Sequence, residues 1–144
     1  MKGIDIILEE ARKNGATIPP PASAEDLKQC QKDLAAIFYP PIPQRYFAFL
    51  QECNGYYYGV TFYGTKPFPM YDYNGFVDDL VTANKQLGHN KYMKHGLLIG
   101  HGWDYKYFYN TKTGLFETRN NFVNDVDAEY KTFKAMFDTE TIRG

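Results

Sequence analysis

The sequence predicts an α+β fold, a single domain with a mainly antiparallel sheet flanked by helices, and three observations lead there. The first half carries apolar stripes at helical spacing, broken by prolines. The second half carries short aromatic runs of period two, separated by glycine-rich turns. The order is helices, strand, helix, consecutive strands and a closing helix, the pattern of an α+β layer structure. At 144 residues the chain can bury one core of ordinary size.

Ile4, Ile7, Leu8 and Ala11 form the stripe of a first helix that stops near Asn14-Gly15. Pro19-Pro20-Pro21 cannot continue it and reads as an extended connector. Residues 1–22 are therefore expected to be an appended helix and linker, and 23–144 the domain proper. Ser23 is a candidate N-cap for a second helix, whose face is Leu27, Cys30, Leu34, Ile37 and Phe38. Tyr39-Pro40-Pro41-Ile42-Pro43 breaks it. A third helix then runs from Pro43 to Cys53, with Tyr46, Phe49, Leu50 and Cys53 on one side and Asn54-Gly55 as its stop.

The next stretch is predicted as one strand, with Tyr58, Val60 and Phe62 on one face and Tyr57, Gly59, Thr61 and Tyr63 on the other. Lys66 to Asn74 reads as a loop. Phe76, Val77, Leu80, Val81 and Leu87 fit a helix closed by Gly88, with Asp78 and Asp79 in its first turn. Leu97–Ile99 fits a buried strand, Gly100, Gly102 and Asp104 a turn around His101 and Trp103, and Tyr105–Tyr109 another strand. Asn110–Gly114 is a hairpin loop returning into Leu115–Thr118, and Val126–Phe137 is the predicted last helix. The third helix is expected to pack on the sheet made by these strands.

Sixteen basic and seventeen acidic side chains leave a net charge of −1, which excludes a global field for nucleic acid or anionic lipid. No apolar run approaches membrane-spanning length. Cys30 and Cys53 fall on apolar helix faces with no secretory signal before them, so they read as reduced core thiols of a cytoplasmic protein.

Chemistry is hard to assemble from the remaining residues. His89, His95 and His101 recur every six positions without a Cys or carboxylate to complete a ligand set. Gly96 to Gly102 lacks the strand–turn–helix context of a phosphate loop, and Cys53 lies on the buried side of its helix. The expectation is no enzyme, no metal and no cofactor. The aromatics are a different matter: 13 Tyr and 11 Phe exceed what one sheet core requires. Tyr71, Tyr73 and Trp103, in loops beside Asp72 and Asp104, are the candidate partner-binding residues, since aromatic anchors ringed by charge make interface hot spots. Their alternative role is sealing a sheet edge.

Ile42-Pro43, the helical Tyr46-x-x-Phe49-Leu50 and Asn54-Gly55 form the first half of a recurring pattern. Leu97 to Asp104, Tyr107-Phe108-Tyr109 and Asn110-x-x-Thr113-Gly114 form the second half, closed by Phe133 and Phe137. The pattern resembles the SMI1/KNR4 (SUKH) superfamily over Ser23 to Phe137, and within it a YrhA-like branch. The resemblance implies an immunity protein that binds and neutralises a cognate bacterial toxin, often a nuclease. It carries over no catalytic motif and no contact residue. The other reading is a small-molecule- or peptide-binding domain using the Tyr-rich sheet face.

Overall fold

The computed structural model describes residues 3–88, 96–123 and 125–143. In chain order its elements are α1 (Ile4–Lys13), α2 (Ala24–Ala36), α3 (Gln44–Leu50), β1 (Tyr56–Tyr58), β2 (Val60–Phe62), β3 (Phe68–Pro69), β4 (Phe76–Val77), α4 (Leu80–Leu87), β5 (Gly96–His101), β6 (Tyr105–Asn110), β7 (Leu115–Asn120), β8 (Val126–Tyr130) and α5 (Phe133–Arg143). Six strands form one antiparallel sheet in the order β1-β2-β5-β6-β7-β8, and β3-β4 is a separate small hairpin. The fold is α+β, as the alternating patterns require.

Aromatic packing joins the central helix to the sheet. The rings of Tyr46 and Phe49 on α3 meet Phe133 of α5 at 4.9 and 4.7 Å, and Phe133 meets Phe62 of β2 at 5.1 Å. Phe62 stacks in turn on Tyr107 of β6 at 5.1 Å. Tyr46 is fully buried, so its hydroxyl must find acceptors. It donates to the carbonyls of Tyr63 and Ile99, tying α3 to two strands at once.

Several elements depart from the sequence expectation, each for a physical reason. The predicted strand Tyr57–Tyr63 is a hairpin: the chain reverses at Gly59, whose φ of 77° suits glycine, and Tyr58 opposes Val60. The face assignment survives the reversal. With one residue at the tip, Tyr57 opposes Thr61 and odd-numbered residues stay together. Helix α4 begins only at Leu80, because Asp79 is the N-cap and accepts from the Thr82 N–H at 2.7 Å. Phe76 and Val77 are therefore strand, not helix.

The predicted helix Val126–Phe137 is strand β8 followed by α5. Val126, Ala128 and Tyr130 alternate with acidic residues in the sequence, β7 offers an edge that pairs with them (with a register shift that turns Val126 away from the face of Ala128 and Tyr130), and Thr132 Oγ1 caps the new helix at the Ala135 N–H. Helix α2 ends at Ala36, where the Phe38 and Tyr39 N–H groups bond back to the Ala35 and Leu34 carbonyls. This Schellman closure leaves Phe38 left-handed (φ 63°) and exposed, off the apolar face assigned to it. Helix α3 stops at Leu50, short of Cys53, and its last turn unwinds before Asn54. Finally, α1 is no appendage: Ile7, Leu8 and Ala11 are buried in the core and the helix packs against α5.

Candidate functional site

The sheet face turned away from α3 and α5 can be followed across the ladder. Tyr57 opposes Thr61, Thr61 opposes His101, and His101 opposes Lys106, so these four side chains form one row. His101 reaches this row through a bulge. Simple alternation along β5 would put it on the side of Leu97, whose partner is Tyr109. The register shifts between Leu98 and Gly100, inserting Ile99 and moving His101 to the other face. Gly100 is needed beside the bulge, because a Cβ there would lie 2.2 Å from the Thr61 carbonyl oxygen.

The segment between β2 and α4 folds back over part of this row. It is pinned where it leaves the sheet by Asn54, buried, whose side chain accepts from the Thr65 N–H at 2.7 Å and donates to Thr65 Oγ1 at 2.8 Å. It is pinned again where it enters α4, the Leu80 N–H donating to the Gly64 carbonyl at 2.8 Å. The small β3-β4 hairpin stands between these anchors.

Between the folded-back segment and the sheet lies a groove of about 390 Å³. Its floor is Tyr57, Thr61 and His101 of the sheet, and its rims are Met70, Tyr71 and Asp72 on one side and Gly102 and Trp103 on the other. It continues over the same floor into a smaller hollow of about 150 Å³ that reaches Tyr63, Phe76 and Asp78. Tyr71 stands edge-on to Tyr57 at 5.7 Å and tilted against Tyr58 at 6.3 Å.

Three of the five candidate binding residues therefore meet: Tyr71, Asp72 and Trp103 line one groove. Tyr73, although exposed, does not line it, and neither does Asp104, whose backbone carbonyl accepts from the Asn121 N–H. Trp103 is 90% exposed, so it does not seal a sheet edge. The sequence reading overlooked the floor. Tyr57 and Thr61 were legible there as one strand face, whereas His101 required the bulge.

The electrostatics of the groove follow from its neighbours. Burial, then a hydrogen bond with Asp72 and the charge of Asp72, raises the Tyr57 hydroxyl above its ordinary value. Burial raises Tyr63 as well, with Asp78 adding to it. His101 is open to solvent over much of its area, but its Nδ1 edge lies 2.7 Å from the Tyr63 hydroxyl. Burial of that edge, then the charge of Lys106, lowers its pKa from 6.5, so the ring is neutral at pH 7. The Lys106 ammonium is held on Asn121 Oδ1 at 2.8 Å and does not line the groove.

Among the described residues no group of three or more His, Cys, Asp or Glu is placed to hold a metal ion. His89 and His95 lie outside the described residues. Both thiols are buried, and burial pushes each to about 12. Among the described residues no helix is long and apolar enough to cross a membrane. No protein-family model matches the chain, and no curated protein is similar to it.

Proposed function

We propose that this chain is a non-enzymatic protein-binding domain, an immunity protein that neutralises a cognate bacterial toxin, a nuclease being the class the family resemblance favours. One observation carries the reading: an exposed tryptophan stands on the rim of a preformed groove beside Tyr71 and Asp72. A large aromatic left in water next to other aromatics and a carboxylate is the composition of an interface anchor. The buried, high-pKa thiols and the neutral, hydroxyl-bonded His101 support a site that binds rather than reacts. On this reading the partner is the toxin protein itself; the domain contacts neither nucleic acid nor membrane and works in the cytoplasm without a cofactor.

The test is calorimetric titration with the protein encoded by the adjacent gene, using wild type, Trp103→Ala and Asp72→Ala after a folding check. Trp103→Ala should weaken binding by about 2 kcal/mol or more. No binding to wild type would end the immunity reading. Equal affinity in all three proteins would move the contact away from this groove.

A second reading, a small-molecule- or peptide-binding domain, is favoured by a preformed groove with Tyr57 on its floor and Tyr71 on its rim; the strand tyrosines Tyr56 and Tyr107 face the helices instead. It predicts a ligand that saturates the groove in the absence of any toxin.

A further inference from the structure

Resting on the protein-binding reading, we infer that the groove is a receptor for an arginine side chain of the partner. This reverses the usual expectation for exposed aromatics, which is that they insert into pockets on the other protein. Here Tyr57, Tyr71 and Trp103 surround a concavity instead of projecting as one ridge. Both carboxylates reached by the groove and its extension, Asp72 and Asp78, belong to the loop that forms one wall. No lysine or arginine is among the described lining residues, and the histidine on the floor is neutral.

A cation in this space would meet ring faces and a negative charge together, the two terms of a cation–π site. The planar guanidinium suits the geometry better than an ammonium. It stacks on a ring such as Tyr71 while its forked donors address a carboxylate such as Asp72.

Trp103 is the one tryptophan in the chain, so fluorescence excited at the red edge, beyond the absorption of the tyrosines, reports this rim alone. The experiment titrates acetyl-Gly-Arg-Gly-amide, its citrulline counterpart and acetyl-Gly-Tyr-Gly-amide into wild type, Asp72→Asn and Tyr71→Leu. Citrulline keeps the shape of arginine and removes its charge. The arginine peptide should bind wild type about tenfold more tightly than the citrulline peptide, and the preference should fall to about threefold or less in either variant. Raising the salt concentration should weaken arginine binding and leave the citrulline peptide unaffected.

Equal affinity for arginine and citrulline, or tighter binding of the tyrosine peptide, would overturn the assignment. A full arginine preference retained in Asp72→Asn would overturn it too. Titrating the adjacent gene's product against Asp72→Asn separates the two levels. Partner binding that is unchanged in this variant removes the arginine site and leaves the protein-binding reading intact. Failure of that product to bind wild type removes the reading, while the peptide ratios still judge the groove.

Discussion

Asn84→Ala, on α4, should be a costly polar substitution, and the reason is visible at the edge of β5. Strand β2 pairs with β5 at Gly100 and His101, and the Tyr63 N–H reaches the Ile99 carbonyl; there the pairing ends. Leu98, one residue further on, would have a bare edge inside the protein. The side chain of Asn84, fully buried on α4, takes the place of the missing strand. It accepts from the Leu98 N–H at 2.9 Å and donates to the Leu98 carbonyl at 2.8 Å. Alanine strands both groups. Leaving a buried backbone donor or acceptor unpaired costs about 1–3 kcal/mol each, so the pair should cost about 2–6 kcal/mol. The third bond, to the Leu80 carbonyl, contributes less because that carbonyl keeps its bond within the helix. Urea unfolding measures the loss, with Gln29→Ala as a control that removes an exposed side-chain bond and should cost under about 0.5 kcal/mol. Asn84→Asp is informative in parallel, since it keeps the acceptor for Leu98 N–H but cannot donate to the carbonyl. A loss below about 0.5 kcal/mol for Asn84→Ala would refute the edge-sealing argument.

Two further predictions concern the core. Leu50→Ala removes a fully buried side chain from α3 and should cost about 2–5 kcal/mol in the same assay; a change under about 0.5 kcal/mol would mean α3 does not pack on the sheet. The buried thiols should make the protein alkali-sensitive. Folding holds Cys30 and Cys53 at about 12 against an ordinary 9.0, so the unfolded chain releases protons that the folded one keeps. Stability is therefore full below pH 9.0 and falls as pH rises toward 12, at about 1.4 kcal/mol per pH unit for each thiol. Urea titrations at stepped pH check this, with the Cys30→Ala/Cys53→Ala chain expected to lose most of the slope just above pH 9. Iodoacetamide should label neither thiol until denaturant is added.

What the sequence made legible depended on whether one period competed with another. The α3 stripe and the β5, β6 and β7 strands had no rival pattern; α3 lies within its predicted span, and the three strands contain theirs and run on past them, β5 as far as His101. Val126, Tyr130, Phe133 and Phe137 satisfied a helical stripe, while Val126, Ala128 and Tyr130 also satisfied alternation. Pairing with β7 decided for the strand, and that partner is invisible locally. Phe76 and Val77 extended an apolar stripe backward past Asp79, although Asp79 was itself the stop signal. For the site, loop aromatics could be suspected of exposure from composition, and Trp103 is exposed. The convergence of Tyr71 and Asp72 with His101 could not be read, because it rests on a bulge at Ile99 that no residue pattern announces.

The pinned loop also bears on how the groove could bind with useful strength. Ordering a mobile loop on association subtracts from affinity, and so does immobilising each long side chain. Both costs are reduced here before any partner arrives. Asn54 and the Gly64 carbonyl fix the segment's two ends, and inside it the Met70 N–H donates to the Gly75 carbonyl, closing the turn that carries Tyr71 and Asp72. The opposite rim is held in the same manner. The Gly102 N–H donates to the Tyr105 carbonyl and the Asn121 N–H to the Asp104 carbonyl, clamping the backbone on either side of Trp103. Most of this cost is met during folding, by backbone bonds that do not themselves contact a ligand. The indole is the exception, since it stands almost wholly in solvent. It is the side chain left to settle onto whatever fills the groove, so its fluorescence reports occupancy.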